Sequence, residues 1–366
     1  MLDQLAPELL DRILLLTLHG PKETWERRRD QTWLASICLT CRALSTRAQL
    51  LLYGDILIQS ISGKDALERT LRDRPDLAKR VRGLCLKHDY YGKGPSIDLA
   101  SGFNLFPLLP ELRVVTLLSF EKEPLDLVPL AAIPHLQTLI LDSVVLERVS
   151  GALAFPSLIS LSLSTIMVAP NVSPHPAQNS LAPSLLTPTI LPSLRALSLD
   201  FFPPANTATL GPLEVLQLHA YARWDGSDRL LRDISQLNVV SFALDADDLE
   251  SELAALPPCH WRVLVPREDS RFDWSLTPGL KDLAAFLRDA ASPPLSIHLT
   301  RDLARLDWGD DLEEYQEALQ RCVDAAEERK IPVRWHDEDP EGEGTHVVSE
   351  SCWQLLRELK AKGSQQ

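Results

Sequence analysis

Few residues of this 366-residue chain have the types and spacing that chemistry needs. His336 precedes three acidic residues, 337–339, and could hold a metal weakly, although an exposed acidic loop explains the run more simply. The aspartates at 245, 247 and 248 lack the glycine and the closing glutamate of a calcium loop. The sequence contains no Gly-x-Ser-x-Gly, glycine-rich phosphate loop or His-Glu-x-x-His motif. We therefore expect no enzyme activity, no metal and no cofactor.

The distribution of cysteines and the length of the apolar segments indicate the cellular compartment that we expect for this chain. The six cysteines are dispersed, and Cys38-x-x-Cys41 has no second pair to complete a zinc site. Reduced thiols in the cytoplasm or nucleus fit this usage best. The N-terminus lacks the basic region of a secretory leader. No proline-free apolar stretch reaches the roughly 20 residues that a membrane span needs, so we expect no membrane association.

Charge is distributed unevenly along the chain. Residues 225–366 contain 30 acidic and 16 basic side chains, and this excess accounts for the whole net charge of −14. An acidic half argues against nucleic acid as a partner, because nucleic acids present negative phosphates. A solvated surface explains the charge more simply than a basic partner does.

The elements that could position binding residues begin near the N-terminus. Residues 5–14 read as a helix with Pro7 in its first turn and apolar residues on one stripe. A second segment, residues 37–48, has apolar residues at helical spacing and runs into LLYGDI at 51–56. Either segment alone is typical of an ordinary core helix, but the two in order favour a surface that docks a protein.

Together, residues 3–58 resemble an F-box. Leu5, Pro7, Glu8 and Leu9 stand at its opening LP-x-E-L positions, with one extra residue after the leucine. Ile13 and Leu14 match its apolar pair, Cys41 and Arg42 its Cys-Arg, and LLYGDI its closing segment in many fungal proteins. The resemblance implies docking onto the Skp-type adaptor of a cullin–RING ubiquitin ligase. The implied adaptor face comprises Leu5, Pro7, Leu9, Leu10, Ile13, Leu14, Ile37, Cys41 and Leu44.

Three features depart from the F-box pattern. Thr40 stands where the family usually has valine, and Leu44 where it often has tryptophan. An insert, Gly20–Thr32, separates the two halves by more than the usual distance. Because charged residues crowd this insert, we expect a surface loop or partial helix outside the adaptor contact.

A repeat runs through the middle of the chain. The pattern L-x-x-[LV]-x-[LF] begins at irregular intervals, with a variant at Val81, and its alternation predicts short strands with one buried face. Such strands need stacked neighbours, so the units resemble degenerate leucine-rich repeats of fungal F-box proteins. The family's asparagine after each strand is absent, so backbone or water must satisfy the turns. The alternative is a generic sheet of short strands. The pattern starts at Leu112, Leu136, Leu158, Leu194, Leu213 and Leu237.

Prolines interrupt the array, and longer helices end it. Residues 169–192 contain six prolines and predict an extended inserted loop. Apolar spacing predicts helices over 280–291, 310–330 and 349–360. Strands are predicted over 295–299 and 331–335.

We therefore predict an α/β chain of three parts. Residues 1–58 form a helical F-box-like module. Residues 59–335 form an irregular leucine-rich-repeat solenoid with a single curved, mostly parallel sheet and outer helices. Residues 336–366 form an acidic loop and a C-terminal helix. The resemblances imply a non-catalytic substrate-recognition subunit of an SCF-type E3 ubiquitin ligase, whose partners are the adaptor, the cullin and a protein substrate. The alternative is a repeat scaffold whose N-terminal helices only cap the solenoid.

The strand face opposite the leucines is the expected substrate side. Its residues are mostly small and uncharged, so specificity is expected from loops at the strand ends. Phe202, Tyr221 and Trp224 follow successive strands and are candidate substrate anchors, partly exposed on one side of the array. Simple edge packing is the alternative for these aromatics. The outward strand positions are Thr116, Ile140, Ser162, Ser198, Gln217 and Ser241.

Overall fold

The computed structural model describes residues 24–39, 42–89, 95–147, 153–168, 185–199, 213–218, 237–243, 258–264, 276–300, 312–336 and 350–363. These residues belong to two compact units. The first contains the described segments up to Leu158, together with Thr165 to Val168. The second contains Ile159–Ser164 and the described segments after Ser180.

The first unit is built of parallel strands alternating with short helices. Its helices are α1 (Thr24–Cys38), α2 (Arg42–Leu52), α3 (Ile61–Asp73), α4 (Pro75–Ala78), α5 (Leu99–Phe103), a 3-10 helix (Phe106–Leu108) and α6 (Val128–Ala131). Its strands are β1 (Asp55–Ile58), β2 (Gly83–Lys87), β3 (Val114–Leu125), β4 (Thr138–Leu146) and β6 (Met167–Val168). Strands β1 to β4 lie side by side in chain order, and β6 pairs with β4.

The second unit continues the same construction with longer helices. Its strands are β5 (Ser160–Ser164), β7 (Ala196–Leu199), β8 (Val215–Leu218), β9 (Val239–Ala243), β10 (His260–Leu264), β11 (Ser296–Thr300) and β12 (Val333–His336). They pair in chain order, and all the pairs are parallel. The helices are α7 (Leu276–Asp289), α8 (Leu312–Glu328) and α9 (Glu350–Gly363). A mixed α/β fold with parallel strands is therefore confirmed in each unit.

The leucine pattern forms the core as predicted. Every predicted repeat contains a strand that begins two residues after the first leucine of the pattern. That first leucine is buried in all six repeats. Along each strand, the leucines alternate with residues whose side chains point to the opposite face, because the side chains of a strand have a two-residue period. Those with described side chains are all buried: Leu139, Leu141, Leu161, Leu163, Leu197, Leu199 and Leu216.

Residues with left-handed backbone stand next to the positions where the repeat family has its asparagine ladder. Ser119, Ser143 and Thr165 have φ values of 64°, 54° and 48°. Each immediately precedes the expected asparagine position, which holds Phe120 and Val144 in the first two cases. Both side chains are fully buried. The first two of these residues lie within β3 and β4, and the expected asparagine position after each contributes its side chain to the core.

Two segments differ from expectation, and the described part of the Gly20–Thr32 insert forms the predicted partial helix with one buried residue. Asp55–Ile58, at the end of the F-box-like segment, is strand β1, and His260–Leu264 is an additional strand. Neither has the leucine alternation that revealed the others. The described part of the Gly20–Thr32 insert lies within helix α1. Its Asp30 is only 4% exposed, so the predicted surface position is wrong for this residue.

Candidate functional site

The N-terminal helix pair is positioned by its own core and by the first strand. Leu34 of α1 and Ala48 of α2 are buried, and the two helices contact each other and β1. The side-chain amide of Gln31 donates to the backbone oxygen of Asp55 over 3.5 Å. The pair is thus attached to the strand that begins the first unit's sheet.

Two of the predicted adaptor residues lie in this pair. Ile37 near the end of α1 and Leu44 in α2 are half-buried. Leu39, between the helices, is 89% exposed, and sequence reasoning did not select it. A single exposed leucine is ordinary on a protein surface, so Leu39 adds apolar area to this junction without by itself marking a contact surface. Seven of the predicted adaptor residues lie outside the described part of the chain: Leu5, Pro7, Leu9, Leu10, Ile13, Leu14 and Cys41.

The predicted substrate face is not open. Its residues lie opposite the strand leucines, as expected, but the prediction that they face a partner is wrong for this structure. Each is at most 4% exposed, and in the second unit the C-terminal helix α9 packs on β8 and β9. The buried residues are Thr116, Ile140, Ser162, Ser198, Gln217 and Ser241. The predicted anchors Phe202, Tyr221 and Trp224 lie outside the described residues.

Helix α9 is seated by a small apolar cluster. Cys352, Leu355 and Leu356 are buried against three strand residues, and Trp353 and Leu359 flank them half-buried. The spacing of these residues places them on one side of the helix. The strand partners begin β7, β8 and β9 at the same register: Ala196, Val215 and Val239.

A polar row crosses the same face two residues further along the strands. Register pairs Ser198 with Gln217, Gln217 with Ser241 and Ser241 with Arg262. The buried Arg262 guanidinium donates to Ser241 Oγ over 3.4 Å and to Cys352 Sγ over 3.8 Å. The Cys352 thiol donates to Gln217 Oε1 over 4.0 Å. These contacts connect the start of α9 to the sheet by long hydrogen bonds.

An ionic group holds the other end of α9. Glu214, just before β8, accepts from Lys360 Nζ over 2.6 Å and from Arg195 Nε over 2.9 Å. Burial alone would raise the pKa of the Glu214 carboxyl, but the hydrogen bonds from Lys360 and Arg195 outweigh it and lower the pKa. The carboxylate is therefore charged at neutral pH and links the helix to two strands.

The structure brings together two histidines that the sequence leaves far apart. Ser296 Oγ lies 2.7 Å from His260 Nδ1 and 2.9 Å from His298 Nε2. A hydroxyl donates one hydrogen bond and accepts another, so it can relay a proton between the two imidazoles. Burial, and to a lesser extent Arg334, lowers the pKa of His260. Ser296 is only 4% exposed, which closes its hydroxyl to a substrate in this arrangement.

Other chemistry is limited in the part of the chain that the structure describes. The five described cysteines are free thiols, and burial raises the pKa of Cys259 and of Cys322 to about 12. Within the described residues, no group of His, Cys, Asp and Glu side chains is arranged to hold a metal ion. Among the same residues, no helix combines the length and apolar character needed to cross a bilayer.

Comparison with known proteins adds no relative. A scan against models of known families matches none of them, and a search of curated proteins finds no match to this chain.

Proposed function

We propose that this protein is a non-catalytic substrate-recognition subunit of an SCF-type E3 ubiquitin ligase. Its N-terminal module would dock the Skp-type adaptor, and through it the cullin, while the parallel-strand units would bind a protein substrate. Such a subunit works by holding the substrate close to the ligase and raising its effective concentration there. The compartment would be the cytoplasm or the nucleus.

The observation that carries the proposal is the apolar junction of α1 and α2. Leu39 is 89% exposed there, between half-buried Ile37 and Leu44. The F-box resemblance assigns the last two residues to the adaptor face, and Leu39 adds apolar surface to it. Docking an apolar helical surface into a partner's groove is a common mode of protein recognition.

Co-purification of the adaptor tests the proposal. The tagged full chain is compared with a Leu9→Asp, Ile13→Asp double variant and with Leu39→Asp. A carboxylate in a desolvated interface costs at least about 2 kcal/mol, so we expect roughly 30-fold weaker adaptor binding in the double variant. Because Leu39 is already exposed, its variant should stay folded and bind more weakly.

Val128→Asp is the matched control. Val128, on α6 in the first unit, is an exposed apolar residue outside the proposed face, at 54% exposure. The variant should retain the adaptor at wild-type levels. Undiminished adaptor binding by the double variant and by Leu39→Asp would refute the assignment of the N-terminal module.

The repeat scaffold with capping helices is the second candidate. It is favoured by the contact of both α1 and α2 with β1, since a terminal strand needs cover for its apolar face and its edge. In that case no adaptor or cullin would co-purify with the wild-type chain. Charged substitutions at Ile37 and Leu44 would then lower stability without changing any binding.

A further inference from the structure

The alternating residue pattern of the second unit's strands is not the one expected for strands that are buried on both faces. Strand β5 alternates serine with leucine, β7 alternates alanine and serine with leucine, and β8 alternates valine and glutamine with leucine. Alternation of this kind is typical of a sheet with one face in the core and one face against solvent or a ligand. In parallel sheets covered on both faces, strands are usually apolar throughout. Yet Ser162, Ser198 and Gln217 are all buried.

Among the described residues, helix α9 covers part of this face. On α9, the fully buried apolar side chains are Cys352, Leu355 and Leu356. Beyond their three strand partners, α9 meets polar residues through bonds of 3.8 Å and 4.0 Å at the Cys352 sulfur. Long bonds of this type contribute little to holding a helix in place.

Water reaches the ionic anchor at the other end of α9 from one side. The Lys360 side chain is 49% exposed and the Glu214 side chain 16%. Ion pairs that water reaches contribute little to stability and weaken as salt is added. The contacts that hold the helix therefore include five apolar side chains, three of them buried, and a salt bridge that water partly reaches.

We propose that the sheet face under α9 is a binding surface for an amphipathic helix of a partner protein, and that α9 is its built-in occupant. The helix that fits is defined by α9 itself. It has a small residue at the position of Cys352, leucines three and four positions later, and a basic residue eight positions later. The leucines match Ala196, Val215 and Val239, and the basic residue matches Glu214. The inference rests on the proposed function only in assigning this partner helix to the substrate.

Thiol labelling of the native full chain measures whether α9 leaves the sheet. Cys352, on α9, is fully buried between that helix and the sheet, whereas Cys259 and Cys322 are buried elsewhere in the same unit. Pulsed alkylation with N-ethylmaleimide, followed by mass spectrometry, gives each rate without denaturant. We expect Cys352 to react at least tenfold faster than the other two. Equal rates for all three would mean that α9 is a permanent part of the fold, and would overturn the proposal.

Charge variants test whether the ionic anchor controls release. Lys360→Glu, or Lys360→Gln if the first variant is unstable, should raise the Cys352 rate several-fold and leave the Cys259 rate unchanged. Lys281→Glu is the matched control, because Lys281 forms an equally short ion pair with Glu314 between α7 and α8. That control should not change the Cys352 rate.

A peptide tests the partner chemistry. A fluorescent peptide with the sequence of residues 350–363 is titrated onto the full-length Lys360→Glu chain and the wild type. We expect saturable binding that is several-fold tighter to the variant, and none by a peptide carrying Asp at both leucine positions, 355 and 356. If Cys352 is labelled but the peptide does not bind, the proposal that this sheet face binds an amphipathic helix is wrong. Neither measurement involves the adaptor, so failure here is distinct from failure of the adaptor test.

Discussion

The two faces of the second unit's sheet are equally buried and chemically opposite. One face continues from Leu197 and Leu216 to Trp261, which stacks on Phe286 of α7 with ring centroids 5.6 Å apart. The other face presents Ser198, Gln217, Ser241, Arg262 and His298 in one register row. Exposure is at most 3% on both rows. Burial alone therefore does not tell which face holds the fold together.

The difference lies in what burial contributes on each face. Removing an aliphatic side chain from water stabilises a fold by roughly 1.5–3 kcal/mol. A typical intramolecular hydrogen bond contributes about 0.5–1.5 kcal/mol net, because it replaces a bond to water. The leucine face should thus supply most of the stability.

The largest effect is expected on the leucine face. Leu197→Ala and Leu216→Ala should each lower the free energy of unfolding by roughly 2–5 kcal/mol, since each leaves a cavity in a closely packed layer. Leu39→Ala, at a site that is 89% exposed, is the control and should change it little. Urea denaturation measures all three. If the losses at Leu197 and Leu216 are no larger than the loss at Leu39, the leucine face does not supply most of the stability.

A smaller loss is expected at the seat of α9. Leu355→Ala removes one of the buried side chains that pack α9 on the sheet. The resulting loss in free energy of unfolding cannot exceed the free energy with which α9 packs there. We expect a loss of about 1–2 kcal/mol, smaller than for the sheet leucines, together with faster alkylation of Cys352. A loss as large as that of Leu216→Ala would place α9 in the permanent core.

A gain is expected at Ser162. Its hydroxyl is 1% exposed and has no hydrogen-bond partner among the residues that the structure describes. Because an unpaired buried hydroxyl costs free energy, Ser162→Ala should stabilise the chain by up to about 1 kcal/mol. Thermal unfolding by circular dichroism measures the sign. A clear loss of stability would mean that this hydroxyl has a partner that matters.

The smallest effect should depend on pH. The pKa of Glu214 is lowered in the folded chain, so its ion pairs stabilise the fold above the ordinary glutamate pKa. This contribution is lost as pH falls through the lowered folded value. Wild type should exceed Glu214→Gln in melting temperature at pH 7, by an amount equivalent to less than about 1 kcal/mol. The difference should shrink as pH falls below the ordinary glutamate range, whereas a constant gap would exclude this carboxylate as the cause.

Much of the fold could be predicted from local patterns. The leucine alternation located β3, β4, β5, β7, β8 and β9, and three-four spacing located α7, α8 and α9. Strands β1 and β10 were missed, because DILI and HWRVL lack the leucine alternation of the repeats. The whole adaptor face remains a prediction, and its residues before Thr24, together with Cys41, also lie outside the described part of the chain.

The sequence by itself determined which side chains of each strand share a face, because that depends only on the two-residue period of extended backbone. Tertiary structure alone decided what meets each face. It placed α9 over β8 and β9, although more than 100 residues separate them in the chain. It also brought Ser296 between His260 and His298 by setting the register of β10 and β11. Periodicity is encoded within a few neighbouring residues, whereas a covering helix is chosen by contacts across the whole unit.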